Sequence, residues 1–108
     1  MMMDLRLQTL LIDIEGNFEA AKVALEEALA IVVKAYGRQH KDTAAVLNSL
    51  GQIHRFMGDL ALSKQLLLEA LQVRRVLFGD LDLSVGASLN NLAELHREMR
   101  DYQVIPSM

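Results

Sequence analysis

Apolar side chains recur at three- and four-residue intervals through most of the chain. Phe18, Ala21, Leu25, Ala28, Leu29 and Val32 form one such stripe, and Leu60, Leu67, Ala70, Leu71 and Leu77 form another. This spacing places each set on one face of a helix, whereas a half-buried strand would alternate at every second residue. Short junctions separate the stripes. Gly16-Asn17, Gly58-Asp59 and Arg100-Asp101 each set a helix-ending position beside an N-cap residue, which predicts a tight turn between two helices. Gly37 and Gly79 are expected to end the second helix of each pair, with Asp42 or Thr43, and then Asp82 or Ser84, capping the next. The pattern predicts helices over 2–15, 18–36, 43–57, 60–78 and 84–99. The closing DYQVIPSM starts like a further helix and breaks at Pro106.

The junctions are periodic. At an offset of 42 residues, Gly16 maps to Gly58, Lys22 to Lys64, Leu25 to Leu67, Glu27-Ala28-Leu29 to Glu69-Ala70-Leu71 and Gly37 to Gly79. Leu47-Asn48 maps to Leu89-Asn90, Leu50 to Leu92, His54-Arg55 to His96-Arg97, Met57 to Met99 and Asp59 to Asp101. Fifteen of the 44 pairs from Gly16 to Asp59 are identical, where unrelated segments would share about three. Small residues at Ala21/Ser63 and Ala28/Ala70 allow helices to approach, with Leu25 and Leu67 between them. A helix hairpin built this way leaves an apolar face that another hairpin covers, so the expected architecture is an open, right-handed stack of antiparallel helix pairs. The 108 residues divide into repeat units near 1–41, 42–83 and an incomplete 84–103, with a tail over 104–108. Without a covering helix, the 84–99 segment is expected to expose Leu89, Leu92 and Leu95 and to favour dimerisation or aggregation.

Composition narrows the function. Eleven Lys and Arg against fourteen Asp and Glu give a net charge of −3, without the cationic surplus that nucleic acid or an anionic membrane attracts. The chain has no cysteine, which removes disulfides, thiolate metal sites and cysteine nucleophiles. The opening MMMDLRLQTLLIDIEG is interrupted by Asp4, Arg6, Asp13 and Glu15 and does not read as a secretory leader. No charge-free stretch approaches the roughly 18 apolar residues of a membrane span. A soluble, cytoplasmic protein is expected. No His-Glu-x-x-His, Gly-x-Ser-x-Gly or P-loop pattern occurs, so no catalytic residue, metal site or cofactor is expected. Arg74-Arg75 is expected to favour the negative end of a helix dipole, and Met57 and Met99 to serve packing.

The segments LNSLGQIHRFMGDL and LNNLAELHREMRDY, with the EAL-bearing helices that end in YG and FG, resemble tetratricopeptide repeats. The 42-residue period and the loop YGRQHKDTAAVLNSLG are similar to the kinesin light chain variety. The resemblance covers roughly residues 5–102. Leu47, Leu50 and Gly51, then Leu89, Leu92 and Ala93, stand at its first-helix core positions; Ala21, Leu25 and Ala28, then Ser63, Leu67 and Ala70, stand at the small–large–small positions of the second. Departures are His54 and His96 in place of an aromatic, Arg100 in place of a turn glycine, Asp82 in place of the loop histidine, and Gln8-Thr9 where a Leu-small pair belongs.

The resemblance implies protein or peptide binding by the first helices, which line a concave groove. Asn48 and Asn90 fall at the position that reaches the backbone of an extended ligand, and an amide supplies both donor and acceptor to a peptide unit. Arg55 and Arg97 follow seven residues later on nearly the same face and suit carboxylates. Gln52 and Glu94 lie between them. The expected site is therefore Asn48, Gln52, Arg55, Asn90, Glu94 and Arg97.

Overall fold

The computed structural model describes the backbone of residues 5–104 and the side-chain surroundings of residues 17–101. Its four helices are α1 (Leu5–Tyr36), α2 (Lys41–Phe56), α3 (Leu60–Phe78) and α4 (Leu83–Val104). Among the described residues there is no strand. α2 and α3 form a hairpin, α1 packs on the other side of α2, α4 packs on α3, and α4 also touches α2. This is the all-α stack that the repeat pattern implies.

The hairpin turn is fixed by its glycine. Gly58 has φ of +88°, a left-handed conformation that costs a residue with a Cβ about 1–2 kcal/mol. The turn lets the Asp59 amide donate to His54 O at 2.9 Å and the Gly58 amide to Arg55 O at 3.0 Å, satisfying carbonyls that the helix end leaves unpaired. Asp59 then caps α3, its carboxylate accepting from the Leu62 amide at 3.3 Å. Gly37 and Gly79, at φ of +82° and +85°, end α1 and α3 as expected.

Two expected turns do not form. α1 runs unbroken through Gly16-Asn17, and α4 runs through Arg100-Asp101 as far as Val104. At the second, Arg100 lacks the glycine's access to positive φ. At the first, a glycine inside a helix costs only about 1 kcal/mol relative to alanine, so Gly16 does not by itself end α1. Pro106 lies outside the described residues.

Helix starts also differ in detail. His40, and not Asp42 or Thr43, caps α2: its Nδ1 accepts from the Asp42 amide at 3.0 Å while its ring stacks on Tyr36 at 4.2 Å. The Thr43 hydroxyl instead donates to Gly37 O at 2.7 Å from a buried position. At the equivalent place one repeat later, Asp82 accepts from both the amide and the hydroxyl of Ser84. Histidine and aspartate thus do one job, because each offers an acceptor to the amide two residues on.

The core cluster joins Leu67 and Leu71 of α3 to Val85, Leu92 and Leu95 of α4, with Leu60 and Met99 against it. Burial of each such leucine is worth about 1.5–3 kcal/mol. Leu92 and Leu95 are therefore covered, contrary to the sequence expectation, because they face α3; Leu89 alone of the three is exposed. On α2, Leu47, Leu50 and Gly51 are buried. A Cβ on Gly51 would lie 2.8 Å from Leu67 Cγ and Cδ2, so the glycine sets how closely α3 approaches. The Ser63 hydroxyl donates to Gly51 O at 2.7 Å across the same contact. Met99 packs as expected, whereas Met57 is exposed at the end of α2.

Candidate functional site

α2 and α4 lie side by side along a polar seam. Asn48, Gln52 and Arg55 are four and three residues apart, close to whole helical turns, and so share the face of α2 that meets α4. Asn91 of α4 sits between the two amides: its Nδ2 donates to Asn48 Oδ1 at 3.1 Å, and its Oδ1 accepts from Gln52 Nε2 at 3.2 Å. The three amides point one way along the chain of bonds. The Asn48 carbonyl is engaged, and its NH2 remains the group a ligand acceptor can use.

Further along the seam Arg55 Nη1 donates to Glu98 Oε1 at 2.8 Å. The Arg55 side chain is only 13% exposed, and its guanidinium lies 4.8 Å from the centre of the Phe56 ring. Phe56 in turn stacks on Phe18 of α1. Two enclosed atoms of the seam have no partner in the protein, the acceptor Gln52 Oε1 and the donor Arg55 Nε. Buried polar atoms of this kind are uncommon, because each forgoes a hydrogen bond that water would have supplied.

The equivalent residues on α4 are differently placed. Asn90 is exposed, and Arg97 pairs with Glu94 of its own helix at an exposed site. The six sequence-predicted residues thus fall into an inner trio on α2, tied to α4, and an outer trio on α4, facing solvent. Asn91 and Glu98, which tie the inner trio, escaped the sequence reading. Their signal is a register one residue longer than the repeat: Asn48 meets Asn91 and Arg55 meets Glu98, each 43 positions away. The Asn90-Asn91 doublet, where the preceding repeat has Asn48-Ser49, is the trace of it.

The other candidate side chains are structural. His40 is the cap of α2, His54 is buried with Nδ1 3.8 Å from Asp59, and His96, its repeat equivalent, is exposed. Arg74 does more than oppose a helix dipole: its Nη1 reaches Ser88 Oγ at 2.8 Å and Ser84 O at 3.4 Å, locking the start of α4 to α3. Burial lowers the Arg74 pKa from its ordinary value, against the attraction of Asp82. Arg75 pairs with Asp80. The Asp82 carboxyl is held below its ordinary pKa chiefly by the Ser84 hydroxyl, then by the Ser84 amide, burial opposing, with a further contribution from Arg74. Arg38, in the loop after α1, binds Glu69 through Nε and Nη2 at 2.6 and 2.8 Å, and those bonds raise its pKa.

Among the described residues no helix is long and apolar enough to cross a membrane. The family described as tetratricopeptide repeat matches residues 10–73 and again residues 42–104. No curated protein matches the chain.

Proposed function

The chain belongs to the tetratricopeptide repeat family, whose repeats generally mediate protein–protein interaction, and from that premise we propose that it is a non-enzymatic module holding an extended peptide along the face shared by α2 and α4. Repeat units near 1–41, 42–83 and 84–103 make up the module, which we read as a cytoplasmic scaffold or adaptor of the kinesin light chain type. The observation that carries the reading is the amide and guanidinium seam. Asn48 offers its NH2, and the exposed Asn90 both its NH2 and its carbonyl, one repeat apart, which suits a peptide backbone better than a compact metabolite. Arg97 and Glu94, exposed on α4, add charge selection at one end.

The reading is tested with a peptide selected from a random displayed library by the intact protein. Replacing Asn48 and Asn90 together by Ala removes about 0.5–1.5 kcal/mol for each hydrogen bond, a loss of about 5- to 150-fold in affinity. Asn48 also accepts from Asn91, so the melting transition is followed on the same sample. Unchanged affinity in a folded double variant would remove the amide ladder.

A second reading is association through the ends of the stack. It is favoured by Ile31 and Leu89, 67% and 43% exposed, whose repeat equivalents Val73 and Leu47 are fully buried.

A further inference from the structure

Among the described residues the α2–α3 contact is the most extensive, and the residues of both its helices recur a second time, apart from each other. On α2, Gly51 meets Ser63 and Leu67 of α3, and Ala44, Leu47 and His54 are buried along the same helix. One repeat later the four α2 residues become Gly86, Leu89, Ala93 and His96 on α4, and all four are exposed. On α3, Ser63 and Leu67 meet Gly51, and Ala70 and Val73 are buried along the same helix. One repeat earlier these are Ala21, Leu25, Ala28 and Ile31 on α1, where the first three are only partly covered and Ile31 is exposed. α4 therefore carries an open copy of the α2 half and α1 an open copy of the α3 half.

We propose that the protein associates head to tail, α4 of one copy packing on α1 of the next as α2 packs on α3 within each copy. The occupant of each open face is a second copy of this chain, because the two faces are the two sides of an interface this sequence already forms. The order of helices agrees. α1 and α3 have one character and α2 and α4 the other, so placing α1 of a second copy after α4 continues the alternation unbroken. Ala93 stands where Gly51 does, and the group it meets, Leu25, corresponds to Leu67, whose flexible Cγ and Cδ2 are the atoms nearest Gly51; a rotation of that leucine accommodates the methyl. One internal pair is not reproduced. Arg38 meets Glu69 within the chain, whereas the equivalent positions across the contact are Asp80 and Glu27. Their repulsion makes the contact weaker than the internal one and therefore dependent on concentration. A head-to-tail contact uses different patches on the two partners and does not close at two copies. The inference rests on the equivalence of the repeats and not on peptide binding by the α2 and α4 seam.

The test is sedimentation of the full chain over a micromolar to millimolar series, with Ile31→Glu and Ala93→Glu as separate variants. Both positions are exposed and glutamate suits a helix, and unchanged circular dichroism establishes that each variant is folded. The parent protein is expected to exceed twice the monomer mass as concentration rises. Each variant alone loses association, since one half of every contact is blocked, but an equimolar mixture forms one-to-one dimers and nothing larger. A parent protein that stays monomeric or stops at a dimer overturns the proposal. So does self-association retained by either variant, which would mean that α1 pairs with α1 or α4 with α4, and so does a mixture that remains monomeric.

Discussion

Arg55 of α2 and Glu98 of α4 are joined at 2.8 Å across the seam between two helices that are not consecutive in the chain. The bond ties one repeat to the next through a guanidinium that is almost enclosed and lies over the Phe56 ring. A charge so placed depends on its partner, because the attraction is less screened by water than at an exposed site. Removing Glu98 as Glu98→Gln is expected to destabilise the fold by about 1.5–3 kcal/mol. A double-mutant cycle with Arg55→Met should show a coupling of at least about 0.5 kcal/mol in denaturant unfolding. Additive effects would mean that the pair contributes no register.

His40 caps α2 through Nδ1. Replacement by Ala is expected to cost about 1 kcal/mol, whereas Asp, the residue at the equivalent position 82, should keep the cap and nearly all of the stability. Thermal melts of the two variants check this. Equal losses in both would show that the stacking of His40 on Tyr36 matters and the cap does not.

Glycine positions distinguish the real turn from the one that is absent. Gly58→Ala forces a side chain into left-handed backbone and should destabilise by about 1 kcal/mol. Gly16→Ala falls inside the continuous α1 and should leave stability unchanged or raise it by up to about 1 kcal/mol. A loss at position 16 as large as that at 58 would restore the hairpin that the sequence suggests.

Acid sensitivity follows from Asp82. Its folded pKa is lowered, with the Ser84 hydroxyl the largest cause, so its contribution to stability is present above the unfolded carboxyl value of about 3.9 and disappears as pH falls through the lower folded value. Asp82→Asn keeps an acceptor at the cap but cannot titrate. The difference in melting temperature between parent and variant should be constant near neutrality and shrink below about pH 4. A difference that persists unchanged into acid would contradict the assignment.

Much of the fold can be read from local chemistry. Gly37, Gly58 and Gly79 mark real ends because positive φ is a property of the residue itself, and the small residues at Gly51, Ser63 and Ala70 mark a close approach because size is too. Gly16-Asn17 and Arg100-Asp101 carry nearly the same local signal and fail. A turn needs a permissive backbone, which Arg100 lacks, and a gain from leaving the helix that exceeds the roughly 1 kcal/mol a helical glycine costs, which the continuous α1 at Gly16 shows is not met there. The site is less legible. Asn48, Gln52 and Arg55 share a face for reasons of helical period alone, but their partners Asn91 and Glu98 depend on a register between repeats that no single segment encodes. The burial of Leu92 and Leu95 is hidden from the sequence for the same reason: the preceding helix covers them.

The most direct measurement is an amide chemical-shift map of the protein titrated with a peptide selected from a random library. Peptide binding along the seam predicts that the largest changes cluster at residues 48, 52, 55, 90, 94 and 97, on α2 and α4, with the melting temperature rising with the logarithm of peptide concentration above Kd. Changes concentrated on α1 and the outer surface of α3, with the seam unmoved, would contradict it.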